Sequence, residues 1–210
     1  MQTQTLSKPR LDRDARREAI LDVAQEVFLE EGFAAASMST IAARLGGSKG
    51  TLYNYFKSKD DLFNAYVEHR CLWQAESVLQ KPDETPLEAL NRVARAYLAF
   101  VTEDLTLRNF RLVVAEAERA PHISRIFYET GPARGLARMA AFLTDLQATG
   151  LLDLGGDAVG AAGDFLGLIQ YRYFKARLCN YVPALTTAEI EAESARAVRT
   201  FLRAYGAPAR

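Results

Sequence analysis

From about residue 14 to residue 205 the apolar residues recur at helical spacing, and no stretch alternates apolar and polar side chains. A chain patterned this way has no strand to offer a sheet, so the expected fold class is all-α, with about nine helices. At 210 residues it can bury a real core without disulfides, and two linked units are plausible.

Punctuation residues divide the pattern. Ile20, Val23, Ala24, Val27 and Phe28 fall on one face of a first helix starting near Asp14, which Gly32 and Phe33 stop. Ser37 caps a short second helix with Ile41, Ala42 and Leu45; Gly46 and Gly47 end it, and Ser48 caps a third through Phe56. Ser58 with Asp61 forms a capping-box pattern before a fourth helix that runs to about Leu79. Thr85, Pro86 and Glu88 start a fifth after the breaker cluster of residues 81–86. Further helices are expected over 106–119, 123–149, 158–180 and 187–205, with Gly131-Pro132 kinking or splitting the second of these. The expected organisation is a basic arm over 1–13, a helix-turn-helix domain over 14–60 and a larger helical domain over 61–210.

Two short helices joined by a tight glycine turn have the spacing of a DNA-binding helix-turn-helix. At about 100° per residue, Leu52 and Phe56 point inward while Gly50, Thr51 and Asn54 point outward. The outward face thus carries one position without a side chain, one hydroxyl and one amide, groups that fit close to base edges; Asn54 is the best base reader. Tyr53 and Tyr55 project from the flanks, where their hydroxyls can meet phosphates. Ser48 leaves a helix N-terminus facing outward beside Lys49, and Lys59 repeats that arrangement in the next helix, giving two phosphate anchors. Residue by residue, caps and solvated lysines explain the same features, and it is their joint occurrence that carries the reading.

The stretch from Ser37 to Phe63, SMSTIAARLGGSKGTLYNYFKSKDDLF, resembles the signature of the TetR/AcrR family of repressors, and the likeness extends over about residues 14 to 67. It implies a homodimer with a variable ligand-binding helical domain behind the DNA reader. By this resemblance Lys49, Gly50, Thr51, Tyr53, Asn54, Tyr55 and Lys59 take positions that touch DNA, with Ser37, Thr40 and Ser48 counted beside them. Two residues depart from the pattern: Gly47 stands where a small apolar residue is usual, and Tyr55 where histidine is common. The segment from Phe110 to Leu143, with its AEAER and ETGPAR runs, is similar to the C-terminal domain of an AefR-like subset.

Charge adds little. Lys plus Arg equals Asp plus Glu at 26 each, and residues 1–59 hold nine basic against seven acidic side chains. Lys8, Arg10, Arg13, Arg16 and Arg17 form the basic arm; it reads first as a solvated tail, although such arms add phosphate or minor-groove contacts in some proteins.

In the larger domain Gly160, Gly163 and Gly167 leave part of one helix nearly bare. With Ile190, Ala197, Val198, Phe201 and Leu202 of the last helix they suggest a two-fold dimer interface, against the alternative of intrachain packing. Tyr97, Phe100, Phe110, Phe127, Met139, Phe142, Phe165 and Tyr171 must be mostly core, though the resemblance implies that some line an effector cavity, with Arg111 and Glu116 as candidate polar contacts.

His69 and His122 lie outside metal-ligand spacing, Cys71 and Cys179 make no disulfide or zinc pattern, and no phosphate loop follows a strand, so no metal, cofactor or catalytic residue is expected. Without an apolar membrane span or signal core, the expected location is the cytoplasm. The function these features favour is a sequence-specific, ligand-released repressor acting as a homodimer on a pseudo-palindromic double-stranded operator. The competing classes are a helical small-molecule-binding protein without DNA binding and a small-molecule enzyme on a helical scaffold.

Overall fold

Side-chain caps begin most of the helices. The computed structural model describes residues 8–77, 81 and 83–208, with side chains from residue 13 to 71 and, apart from residue 82, from 81 onward. Its helices are α1 (Lys8–Ala35), α2 (Met38–Arg44), α3 (Lys49–Tyr53), α4 (Lys59–Ser77), α5 (Pro86–Val101), α6 (Asp104–Glu116), α7 (Pro121–Thr130), α8 (Pro132–Ala148), α9 (Ala158–Gln170), α10 (Phe174–Leu178) and α11 (Thr187–Tyr205). Ser37, Ser48, Ser58 and Thr85 accept from backbone N–H groups three residues on, each satisfying a donor that a helix start leaves free. Replacing Thr85 by alanine removes the hydroxyl that accepts from the Glu88 N–H while the backbone N–H of residue 85 can still donate to the Glu88 carboxylate, and should cost about 1 kcal/mol, seen as a lower urea midpoint at unchanged slope.

Three expectations about elements change. α1 starts at Lys8 rather than near Asp14, so residues 8–13 are helical rather than an arm; residues 1–7 and Leu79, where the fourth helix was expected to end, lie outside the described residues. Gly32 (φ 79°) breaks α1 as expected, but helical backbone resumes behind it. The single helix expected over 158–180 is two, parted at 171–173, where no glycine or proline signals a break. Gly131-Pro132 does split α7 from α8.

The chain divides into two compact units. The first comprises Met1–Arg70 and Leu112–Phe127. Its core holds Ile20, Leu21, Val27, Ile41, Leu52 and Leu62, with Phe28, Phe33 and Phe63 in a triangle of ring centroids 5.4–5.5 Å apart. Val113 and Ile123, distant along the chain, are buried with it.

The second unit comprises Cys71–Arg111 and Tyr128–Arg210. α5, α8, α9 and α11 pack around Leu90, Leu98, Leu143, Phe165 and Phe201, the last two with ring centroids 4.6 Å apart. Buried Arg177 organises the α10 segment: its guanidinium donates to the Thr102 and Val182 carbonyls and to the Asp104 carboxylate. Arg111 grips the end of the same helix through the carbonyls of Arg177 and Leu178 and the amide oxygen of Asn180. These interactions hold the short helix that follows the break.

Candidate nucleic-acid interface

α3 has only five residues, too short to hold itself, so neighbours set its orientation. Leu52 and Phe56 are buried behind it, 0% and 3% exposed. Gly50, Tyr53 and Asn54 are exposed and Thr51 and Tyr55 half-buried. The inward and outward faces therefore fall where the residue spacing puts them. Asn54 is the C-cap rather than an interior residue, but its backbone stays right-handed helical, with N–H bonds to the Gly50 and Thr51 carbonyls. Gly46, with φ 68°, makes the turn ahead of α3 in a conformation that favours glycine.

The same device starts both short helices. Ser48 Oγ accepts the Thr51 N–H at 3.1 Å and lies 2.9 Å from the Thr51 hydroxyl. Ser37 and Thr40 repeat the arrangement at 3.0 and 2.9 Å. The Thr51 hydroxyl is thus oriented by its cap before any partner arrives. Lys49 Nζ lies 5.9 Å from the centroid of the Tyr53 ring. Behind α3, Asp61 N–H donates to Ser58 Oγ, and the Asp61 carboxylate accepts from the Lys57 backbone at 2.9 Å, one residue beyond a standard capping box.

Lys59 requires a correction. Its ammonium donates to the carbonyls of Phe33 (2.6 Å), Ala36 (2.9 Å) and Ala34 (3.3 Å), and lies 4.3 Å from the Phe33 ring centroid. All three ammonium protons are used by carbonyls around the end of α1, so in this structure Lys59 clamps that end and its ammonium is already engaged. Burial lowers its pKa, which the nearby Asp60 and Glu116 carboxylates oppose. Glu116 sits in this unit, with one carboxylate oxygen near Gly32 and the other buried without a hydrogen-bond partner among the described residues.

Three arginines form a part of the site that sequence reasoning left on the arm. Because α1 begins early, Arg13, Arg16 and Arg17 share one helix face at i, i+3 and i+4. The Arg13 guanidinium lies 5.9 Å from the Tyr55 ring centroid, and that of Arg17 lies 5.5 Å from the Phe56 ring centroid. Arg16 lies against Gly47 of the turn. Among the described residues no carboxylate pairs with Arg13, Arg16, Arg17, Lys49 or Lys57, whereas Arg44 pairs with Glu30 and Glu31. The 13/16/17 spacing was the available signal, hidden by starting the helix too late.

The candidate residues of the larger domain scatter. Met139, Phe142 and Phe165 are core, and Tyr97 donates its hydroxyl to Gln170 Oε1 at 3.0 Å, with burial pushing its pKa up to about 12. Phe110 packs edge-on against Phe174, and Phe100 is half-buried. Tyr171 is 75% exposed, because the inward positions of α9 are Ala161, Ala162, Phe165 and Ile169. Glu116 and Phe127 belong to the first unit, and the Arg111 guanidinium is taken up by the α10 segment.

The dimer candidates divide as well. Ala197, Val198 and Phe201 are buried in their own chain's core, since an apolar helix face can be covered only once and α5 and α9 cover this one. Gly160 and Gly163 are exposed, Gly167, Ile190 and Leu202 half-buried, and Val159 is 56% exposed beside them. No helix is long and apolar enough to cross a membrane, and no group of metal-ligating residues occurs, among the described residues.

The profile of the tetR family of bacterial regulatory proteins matches residues 20–66, and that of the AefR-like transcriptional repressor C-terminal domain matches residues 88–207. The HTH-type transcriptional activator FasR of Mycolicibacterium smegmatis is 35% identical over 106 residues, 50% of this chain and 48% of FasR. The HTH-type transcriptional repressor BepR of Brucella suis is 30% identical over 118 residues, 52% of this chain and 56% of BepR. The chain thus matches about half the length of these curated relatives. Solved structures match nearly throughout. A TetR-family transcriptional regulator from Mesorhizobium loti superposes with a TM-score of 0.77 at 27% identity, over 92% of this chain and 98% of the other. The flavonoid-responsive regulator FrrA gives 0.77 at 32% identity, over 93% of this chain and 100% of FrrA. With both halves matched, this chain belongs to the TetR family of DNA-binding transcriptional regulators.

Proposed function

We propose that the protein is a ligand-released repressor that binds a pseudo-palindromic operator as a homodimer, with the α3 of each copy in the major groove. The observation that carries this reading is the outward face of α3: Gly50, Tyr53 and Asn54 are exposed while Leu52 and Phe56 anchor the helix from behind. Asn54 reads a base edge, Tyr53 and Tyr55 meet phosphates, and Lys49 with the N-terminus of α3 adds charge. Two copies place their readers about 34 Å apart, in successive major grooves. The exposed glycine face of α9 supports the dimer: a Cβ at Gly163 or Gly167 would meet nothing within 4 Å, so a second copy's helix has room to approach.

The effector in this reading is an apolar small molecule with a hydrogen-bonding group, held among the helices of the second unit near Tyr97, Phe100 and Phe110. The Tyr97–Gln170 pair supports it, as a half-buried polar contact that a ligand hydroxyl could share, and so does the flavonoid response named for FrrA. Release follows if the effector favours a reader spacing that fits DNA poorly, acting along α4, and it extends only as far as its differential affinity for the two spacings.

Selection of bound fragments from the source genome, followed by gel-shift titration across salt, tests the DNA reading. Lys49→Ala should weaken binding to every sequence and reduce the salt slope by about 0.9, while Asn54→Ala should cost about 1–3 kcal/mol on the selected operator and relax preference at one base position. A Tyr53→Ala/Lys49→Ala double variant that binds as the parent does would refute these assignments.

A further inference from the structure

Gly47 is the residue where this chain departs from its family's usual small apolar side chain, and the structure gives the vacancy an occupant. A Cβ built on Gly47 would stand 3.2 Å from Nη2 of Arg16, closer than side chains ordinarily approach. Gly47 itself has no left-handed backbone, unlike Gly46, so the turn does not demand glycine there. Its N–H bonds to the Ala42 carbonyl, as an alanine's would. What the missing side chain provides is room for a guanidinium.

We propose that Arg16 is a DNA-phosphate contact, reaching from α1 across the helix-turn-helix turn, and that Gly47 is glycine to admit it. Arg16 is half-buried and has no carboxylate partner among the described residues. The cation rests against the backbone immediately before Ser48, whose side chain caps the reading helix. It therefore adds a second cation, on a different helix, beside the exposed Lys49. Arg13 and Arg17 share its helix face, their guanidinium carbons 5.9 and 5.5 Å from the ring centroids of Tyr55 and Phe56. An arginine so placed offers forked N–H donors to phosphate oxygens.

The inference rests on the DNA reading above, and the test separates the two. A random-sequence duplex several helical turns long is titrated with the full-length protein at a series of salt concentrations, so that no operator need be known. Arg16→Ala should weaken binding severalfold and lower the salt slope by about 0.9, the value for one phosphate contact, while Arg16→Lys keeps most of the slope. Gly47→Ala should raise the thermal midpoint, because alanine restricts the unfolded chain, yet weaken DNA binding by displacing Arg16. In an Arg16→Ala background the same glycine replacement should have no further effect on binding. A parent protein that binds no duplex sinks the DNA reading itself. If the parent binds but Arg16→Ala leaves the slope unchanged, or Gly47→Ala is equally harmful with and without Arg16, the contact is refuted while the reader stands. Arg16→Gln, measured alongside, distinguishes loss of charge from any loss of fold in the alanine variant.

Discussion

Leu52→Ala is expected to abolish operator binding while most of the helical content survives. Leu52 is fully buried, and truncating such a leucine costs about 2–5 kcal/mol. Globular proteins hold about 5–15 kcal/mol in all, so the loss is a large fraction of what the unit has. It also falls at a damaging place, because α3 is one turn and a half of helix and owes its direction to Leu52, Phe56 and the Ser48 cap. Fluorescence anisotropy with labelled operator, paired with urea denaturation, measures both effects. Leu52→Met, nearly equal in volume, should retain binding within a few-fold; an alanine variant that binds like the parent would show that α3 is not positioned by its inward face.

The second large effect concerns assembly. Gly163→Arg should leave the isolated chain folded, since the space beyond Gly163 is open and arginine has the higher helix propensity. In a two-fold contact on this face the same change would bury two unpaired like charges. The variant should sediment as a monomer, and its operator affinity should fall by about 10²–10⁴, the gain that linking two half-site contacts confers. A variant that remains dimeric, or a monomer with undiminished affinity, would place the interface elsewhere or make each reader sufficient alone.

Much of the fold could be read from residues whose local chemistry admits one outcome. Ser48, Ser58 and Thr85 cap helices because their oxygens accept nearby N–H groups, and Gly131-Pro132 interrupts a helix whatever surrounds it. The inward placement of Leu52 and Phe56 follows from helical period in the same way. Reading fails where the decision is tertiary. Behind the break at 171–173, Arg177 of α10 donates to the carbonyl of Thr102, a residue 75 positions earlier, a partner that local sequence does not reveal. The apolar face of α11 was legible as a face, but whether its own chain or a second copy covers Ala197, Val198 and Phe201 is settled by which helices pack beside them.

Lys59 and Arg16 show the same limit at the interface. Spacing alone read Lys59, with Lys49, as one of two phosphate anchors and left Arg16 on the arm. In the fold Lys59 closes the end of α1 with three hydrogen bonds, while Arg16 has no carboxylate partner among the described residues. An isolated charge in sequence carries no record of whether carbonyls left over from a neighbouring helix will claim it.

Methylation interference on a selected operator probes the placement of α3 most directly. A methyl group on guanine N7 projects into the major groove, where the exposed Gly50 and Asn54 are expected to lie. The parent protein should be blocked by methylation in two patches one helical turn apart. Binding indifferent to N7 methylation would mean that α3 does not read the groove.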